Sequence, residues 1–191
     1  MIHCFVGTKA QLIKMAPVMI EMKDRNIPFR YIDSGQHAKT TRALRREFSL
    51  PDPDVSLSGR KNDIVTIPSA LGWYANNLLL TTIQKSRLRK NIFPGGGICL
   101  IHGDTLSTLI GLQMARAAGL DVAHVEAGLR SQRMLDPFPE EIIRIICMKR
   151  AQVLFAPSEE AAQNLSRMNL TGRVEQLRGT RAAVACVGSR L

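Results

Sequence analysis

Three carboxylates and two lysines lie in or beside the loops that follow short apolar runs of the sequence. The carboxylates are Asp104, Glu126 and Glu140, and the lysines are Lys9 and Lys14. Carboxylates can act as general acids and bases, and ammonium groups can bind a phosphate or diphosphate. The residue types therefore predict a site that moves protons on an anionic substrate, provided that the fold brings them together.

Each of these residues also has a simpler explanation. Asp104 could cap the helix that follows it, and Glu140 could pair with Arg144 one turn later. Lys14 could be a solvated charge on a helix surface. Glycine stands beside a charged or polar residue in four such loops, and four loops at one edge of a sheet favour a site.

The elements that must position these residues alternate between apolar runs and helical spacing. Helices are predicted between the strands, with either a late start or a kink at Pro17 and with a break near Pro68 or Gly72. This alternation predicts an α/β fold, a Rossmann-like parallel sheet with helices on both faces, which binds ligands at the carboxyl ends of its strands. The predicted strands are 2–6, 29–32, 98–101, 122–125 and 153–156.

Composition, charge and the absence of two nucleotide-binding motifs argue against several classes of protein. The 191 residues are 45% hydrophobic and 22% charged, which is ordinary for a globular domain. A net charge of +10 suits nucleic acid, but aromatics are only 5% and no stacking motif occurs, so a small anionic substrate is the better prediction. The sequence contains neither a P-loop nor a G-x-G-x-x-G after its first strand, which argues against a kinase or an ordinary NAD dehydrogenase.

Cysteine spacing and hydropathy predict a cytoplasmic protein without a metal or a membrane partner. No run of apolar residues is long enough for a transmembrane helix, and the N-terminus does not resemble a secretory signal. The cysteines are far apart and form no zinc motif, so reduced thiols are expected. They are Cys4, Cys99, Cys147 and Cys186.

Six segments of the loops and helix starts form a recognisable series. They are Gly7-Thr8-Lys9, Ile13-Lys14-Met15-Ala16-Pro17, His102-Gly103-Asp104-Thr105, His124-Val125-Glu126-Ala127-Gly128-Leu129-Arg130, Pro137-Phe138-Pro139-Glu140-Glu141 and Phe155-Ala156-Pro157-Ser158-Glu159. In this order and spacing the series resembles the non-hydrolysing UDP-N-acetylglucosamine 2-epimerases. The resemblance covers roughly residues 1–172.

The resemblance implies the N-terminal domain of a glycosyltransferase-B-type fold, in which two Rossmann-like domains enclose the active site. It implies interconversion of UDP-N-acetylglucosamine and UDP-N-acetylmannosamine by elimination of UDP and re-addition, without a cofactor, and it favours a homodimer. The acid and base roles fall on Asp104, Glu126 and Glu140.

The same resemblance predicts contacts to the UDP-sugar. Lys14 is expected to bind the nucleotide-sugar. Lys9 stands where the family usually has arginine, and an ammonium group cannot bind phosphate in a bidentate manner. His37 and His102 could alternatively be turn residues. The predicted substrate contacts are Lys9, Lys14, Gln36, His37, His102 and Arg130.

The resemblance weakens after residue 172. We therefore predict an N-terminal Rossmann-like domain at 1–172 and an atypical basic tail at 173–191 with four arginines and one glutamate. The family's His-Arg-Arg-Glu segment and the catalytic histidine of its second domain do not occur in this chain. These features suggest the N-terminal half of an epimerase, cut short by a frameshift or early stop and weakly active or inactive.

Two alternatives stay open. A hydrolysing epimerase, which releases free N-acetylmannosamine and UDP, would share this half. A non-catalytic half-domain that binds a partner in trans would also fit.

Overall fold

The computed structural model describes residues 1–58, 62–64, 66–83, 85–133 and 136–177, and in these residues seven parallel strands form one sheet in the order β3-β2-β1-β4-β5-β6-β7. The strands are β1 (Ile2–Val6), β2 (Phe29–Asp33), β3 (Val55–Ser56), β4 (Ile98–His102), β5 (Asp121–Val125), β6 (Val153–Ala156) and β7 (Arg173–Gln176). The helices are α1 (Lys9–Asp24), α2 (Ala38–Glu47), α3 (Ile67–Ile83), α4 (Lys85–Arg87), a π-helical turn (Leu88–Ile92), α5 (Leu106–Ala117), α6 (Glu140–Arg150) and α7 (Glu159–Ser166).

Alternating side chains of the strands pack against helices on both faces of the sheet. Ile2, Cys4 and Val6 of β1 pack with the apolar side of α1 in one buried cluster. Phe5 points to the opposite face and belongs to the larger cluster, which includes residues of α3, α5 and α6. A parallel sheet covered on both faces needs such apolar strands. The predicted Rossmann-like α/β fold is confirmed.

A buried glutamine joins the loop after β1 to the loop after β4. Gln11 forms a capping box with Thr8 at the start of α1. Its amide nitrogen donates to the main-chain oxygen of His102 at 2.9 Å and to Thr108 Oγ1 at 2.8 Å. The two loops therefore hold a common position although 91 residues separate Gln11 from His102.

Helix boundaries differ from the sequence expectations at the prolines. The predicted break near Pro68 or Gly72 is wrong, because α3 runs through both residues. Pro68 lies in the first turn, where its missing N–H leaves no hydrogen bond unmade. Of the two alternatives for the first helix, the late start is wrong, because α1 begins at Lys9 and contains Pro17.

The strands β3 and β7 were not predicted from the sequence. Strand β3 is only two residues long, too short to give a pattern. Strand β7 pairs with β6 in parallel register and uses the first residues of the predicted basic tail, Arg173–Gln176. Residues 178–191 lie outside the described part of the chain, so the boundary at 172 stays a prediction.

Three of the cysteines are buried and free of disulfide bonds, and Cys186 lies outside the described residues. Within the described ranges, no helix is long and apolar enough to cross a membrane. In the same ranges, no three His, Cys, Asp or Glu side chains gather into a possible metal site. The expected absence of a metal and the cytoplasmic location stay predictions.

The turn between β1 and α1 requires a glycine for steric reasons. A Cβ on Gly7 would lie 1.8 Å from Ser107 Oγ and 1.9 Å from Ser34 Oγ. These hydroxyls already contact each other at 2.5 Å, so neither has room to move away easily. We expect Gly7→Ala to lower the free energy of unfolding by about 1–3 kcal/mol, measured by urea denaturation.

Gly72→Ala is the matched control. No atom lies within 4 Å of a Cβ built on Gly72, which sits in the exposed side of α3. Alanine there should raise the free energy of unfolding by roughly 0.5–1 kcal/mol because it limits the unfolded chain more than glycine does. Equal effects of the two substitutions would contradict this account of the turn.

Candidate active site

Two neighbouring cavities open at the carboxyl ends of the strands. The larger has a volume of about 480 Å³ and the smaller about 240 Å³. Ile13 of α1 lines both of them and is 40% exposed. The larger cavity contains Lys9, Gln36, His37, Asp104 and Glu140. The smaller contains Lys14, His102 and Glu126.

Eight of the nine predicted site residues therefore line one of these cavities, and Arg130 lines neither. The three predicted catalytic carboxylates do not share one cavity. Asp104 and Glu140 lie together, whereas Glu126 lies next door with Lys14. The side chain of Ile13 stands between the two groups.

Glu126 is held between Lys14 and His102 in the smaller cavity. Lys14 Nζ lies 2.7 Å from Glu126 Oε1, and His102 Nε2 lies 3.1 Å from Oε2. The second contact is short but falls outside hydrogen-bond geometry in this conformation. His102 above all, with Lys14 in addition, lowers the pKa of Glu126 to about 2, although partial burial opposes the shift. Glu126 is therefore ionised at neutral pH.

The backbone at Glu126 adopts an unusual conformation. Its φ is +64°, in the left-handed region that residues other than glycine rarely adopt. The next residue secures this turn, because Ala127 N donates to Phe155 O of β6 at 2.9 Å. Backbone conformations of this kind are concentrated at functional sites. Here the turn directs the carboxylate towards Lys14 and His102.

His124 connects the loop after β4 to the strand that carries Glu126. Its ring is fully buried, and Nε2 lies 2.7 Å from the carbonyl oxygen of Gly103. Burial lowers the pKa of His124 to about 4, so the ring is neutral at pH 7 and donates its Nε2–H to that carbonyl. Because Gly103 directly precedes Asp104, this hydrogen bond fixes the position of the Asp104 main chain relative to β5.

Asp104 and Glu140 have different surroundings although they line one cavity. Asp104 does not cap the next helix, because Thr105 occupies the capping position of α5 and accepts from Thr108 N. Asp104 instead pairs with Arg144 of α6. The alternative pairing of Glu140 with Arg144 is also not formed. In the described part of the chain, the buried Oε2 of Glu140 has no hydrogen-bond partner.

Gln36 presents a second unsatisfied acceptor to the larger cavity. Its Oε1 is buried, and none of the described residues donates to it. Buried polar atoms of native proteins are nearly always hydrogen-bonded. Within the described residues, the Gln36 and Glu140 oxygens are therefore exceptions in the lining of the larger cavity. Lys9 reaches the same cavity from the first residue of α1, and its main-chain N–H donates to His37 Nδ1 at 3.4 Å.

Arg130 lies in a buried ion pair, away from both cavities. Its Nε donates to Glu141 Oε1 at 2.5 Å, and Glu141 itself is fully buried. The same Glu141 carboxylate also contacts Arg144. The structure thus does not bring Arg130 to the other predicted substrate contacts.

Sequence reasoning missed Gln11, gave no role to Glu141, and named Arg144 only as a possible partner of Glu140. All three contact residues or loops of the site without lining either cavity. The Thr-x-x-Gln spacing of the α1 capping box could have revealed Gln11. The i, i+3 spacing of Glu141 and Arg144 is compatible with a pair on α6. Nothing in the sequence indicates that Arg144 also reaches Asp104.

The family is decided by a comparison that covers most of the chain. Residues 21–188 match the family model described as UDP-N-acetylglucosamine 2-epimerase. The chain belongs to this family. The match runs past residue 172, where the recognisable motifs end.

Curated relatives agree with this assignment. The UDP-N-acetylglucosamine 2-epimerase of Bacillus subtilis is 33% identical over 165 residues, which are 85% of this chain and 40% of that protein. The Campylobacter jejuni enzyme of the same name is 32% identical over 161 residues, which are 83% of this chain and 39% of that protein. The chain therefore spans about two fifths of the length of these epimerases.

Solved structures show the corresponding fold. A crystal structure of a UDP-N-acetylglucosamine 2-epimerase superposes with a TM-score of 0.73 at 32% identity, covering 88% of this chain and 44% of that one. The Methanocaldococcus jannaschii epimerase in complex with UDP-GlcNAc and UDP gives 0.73 at 29% identity, covering 92% and 45%. The predicted family is confirmed, and the chain corresponds to one half of a glycosyltransferase-B-type epimerase.

The buried His124 makes stability depend on pH. Between its ordinary pKa of 6.5 and its value of about 4 in the fold, the unfolded chain binds a proton that the folded chain does not. The free energy of unfolding should therefore fall by about 3 kcal/mol as the pH falls from 6.5 to 4. Burial also lowers the pKa of His3, which adds a loss of the same sign.

We expect His124→Gln to flatten this dependence while the amide keeps a hydrogen bond to Gly103. Urea denaturation of both proteins at several pH values from 4 to 7 measures the slopes. The slope that remains in the variant belongs to His3 and other groups. Identical slopes in the two proteins would contradict the assignment to His124.

Proposed function

We propose that the chain supplies the N-terminal half of a UDP-N-acetylglucosamine 2-epimerase active site. The reaction would interconvert UDP-N-acetylglucosamine and UDP-N-acetylmannosamine. One observation carries the proposal: Asp104 and Glu140 line a cavity that adjoins the Glu126–Lys14 ion pair. Carboxylates for proton transfer thus lie beside a cation for the diphosphate.

The proposed reaction proceeds in two steps that reverse each other. In the first, a carboxylate takes the proton from C2 of the sugar, the C1=C2 double bond forms, and the C1–O electrons leave with UDP. In the second, the UDP oxygen adds back to C1 and C2 takes a proton on the opposite face. The two steps transfer no net electrons, so no redox cofactor is needed.

Asp104, Glu126 and Glu140 are the proposed acid and base groups. The two faces of C2 require two differently placed groups, and Asp104 and Glu140 share one cavity. Glu126 enters the reaction ionised because its contacts with His102 and Lys14 lower its pKa. A general acid or base at a correct distance accelerates such a step about 10²–10⁴-fold.

Lys14 links substrate binding to the state of Glu126 in this proposal. Its side chain is 58% exposed, so the ammonium group can turn from Glu126 towards a bound diphosphate. Glu126 would then lose its contact with the Lys14 ammonium group and become a stronger base. Lys9 at the N-terminus of α1 would bind the same diphosphate, where main-chain N–H groups also favour anions.

The length of the relatives leads us to propose low activity for the chain alone. It spans about two fifths of the Bacillus subtilis and Campylobacter jejuni enzymes. The two unsatisfied acceptors of the larger cavity are consistent with a site that is completed from outside these residues. In the extreme case, the chain has no activity alone and is a non-catalytic half-domain that binds a partner in trans.

The test follows the C2 proton of UDP-N-acetylglucosamine in D₂O by proton NMR. Two proteins are compared: the 191-residue chain, and a fusion of its residues 1–177 with the rest of the Bacillus subtilis relative. We expect loss of the C2 signal and formation of UDP-N-acetylmannosamine, slow with the chain and faster with the fusion. Free N-acetylmannosamine instead would indicate a hydrolysing epimerase. No exchange with either protein would overturn the proposal.

Removal of the shared carboxylates should slow this exchange strongly. We expect Asp104→Asn and Glu140→Gln each to reduce the rate about 10²–10⁴-fold, because the amides cannot accept the proton. Glu159→Gln is the matched control, since Glu159 also lies in the first helical turn after a strand but is exposed and lines neither cavity. Equal losses in control and site variants would point to stability rather than catalysis.

A further inference from the structure

We propose that Arg144 is a positioning residue that holds the Asp104 carboxylate in place for proton transfer. This inference rests on the proposed epimerase function. Arg144 Nη2 contacts Asp104 Oδ2, and Nη1 of the same guanidinium contacts Glu141 Oε2. Arg144 itself lines neither cavity, so it reaches the substrate only through Asp104.

Glu141 anchors the guanidinium from the side away from the cavities. Its carboxylate is fully buried in the second position of α6. Burial tends to raise its pKa, but Arg130, the Ser131 N–H and Arg144 together lower it, so Glu141 is ionised. A planar guanidinium with one edge on a fixed carboxylate has little freedom to rotate.

Glu141 does not need Arg144 for its own neutralisation. Arg130 Nε already donates to Glu141 Oε1 at 2.5 Å, and the Ser131 N–H donates to Oε2 at 3.3 Å. The free end of the Arg144 guanidinium is therefore available for Asp104. The series Arg130–Glu141–Arg144–Asp104 alternates in charge and runs from the buried side of α6 to the larger cavity.

The Asp104 side chain depends on Arg144 for its position. Its main chain is held through the neighbouring Gly103, whose carbonyl oxygen accepts from His124, but its carboxylate pairs with Arg144. Its side chain is only 25% exposed, and Thr105 rather than Asp104 makes the capping contact to α5. Displacement of a catalytic group by about 1 Å can cost roughly 10²-fold in rate. Arg144 limits such displacement by a fixed contact from α6.

The first experiment detects the contact without relying on activity. In NMR spectra of the 191-residue chain, a guanidinium held at both ends gives separate Hη signals because its rotation is slow. We expect separate signals for Arg144 in the wild type and averaged signals in Asp104→Asn. Asp121→Asn, an exposed position at the opposite end of β5, should leave them separate. Averaged signals in the wild type would overturn the inference.

The second experiment asks whether Arg144 acts through Asp104. C2 exchange is measured with the chain or fusion that shows turnover, for Arg144→Gln, Arg144→Lys, Asp104→Asn and the double variant. We expect kcat to fall about 10²-fold in Arg144→Gln and roughly tenfold in Arg144→Lys, with little change in KM. The double variant should be no slower than Asp104→Asn alone.

Additive losses in the double variant, or a change confined to KM, would overturn the positioning role. Arg150→Gln is the matched control because Arg150 is an exposed arginine at the other end of α6. The Gln variant should fold, since Glu141 keeps Arg130 and Ser131. If it does not, Arg144→Lys carries the kinetic comparison. If no protein turns over the substrate, the proposed function fails, whereas the NMR result still decides whether Arg144 holds Asp104.

Discussion

The buried amide of Gln11 is the interaction on which the arrangement of the site depends. It accepts from the main chain of Gly7 and Thr8 and donates to His102 O and Thr108 Oγ1. A parallel sheet brings the ends of its strands to one edge, but it does not fix the positions of the loops that follow the strands. Gln11 does this for the loops after β1 and β4, and a buried amide cannot give up such bonds without a desolvation cost.

Further polar contacts extend the same frame to the rest of the edge. His124 holds Gly103 from β5, and His102 at the end of β4 lies against Glu126 after β5. Arg144 reaches Asp104 from α6. Side-chain contacts thus join α1, β4, β5 and α6 into one rigid support at this edge of the sheet. The side chains of Lys9 and Lys14 extend from this support into exposed positions.

Each carboxylate of the proposed site has different electrostatic surroundings. Glu126 has Lys14 and His102, Asp104 has Arg144, and Glu140 has no hydrogen-bond partner for its buried Oε2 among the described residues. Three similar side chains can therefore perform different steps of one reaction. The net charge of +10 does not describe this local balance, because it is spread over exposed helix faces as well.

The sequence by itself determined the fold class and most of the candidate residues that line the two cavities. Apolar strands that alternate with helices predict a parallel sheet, and residues such as Lys14, Asp104 and Glu126 follow because ligands bind at the ends of such strands. Sequence patterns did not predict the structure correctly at two places. Strand β3 has only two residues, too few to give a pattern. Pro68 lies in the first turn of α3, where a proline does not break the helix. Only the tertiary structure decided that Arg130 pairs with Glu141 and that Arg144 reaches Asp104. It also decided that the buried Oε2 of Glu140 has no hydrogen-bond partner among the described residues. These contacts join residues of different elements, and side-chain geometry in a packed interior, rather than sequence spacing, selects among the available charged partners.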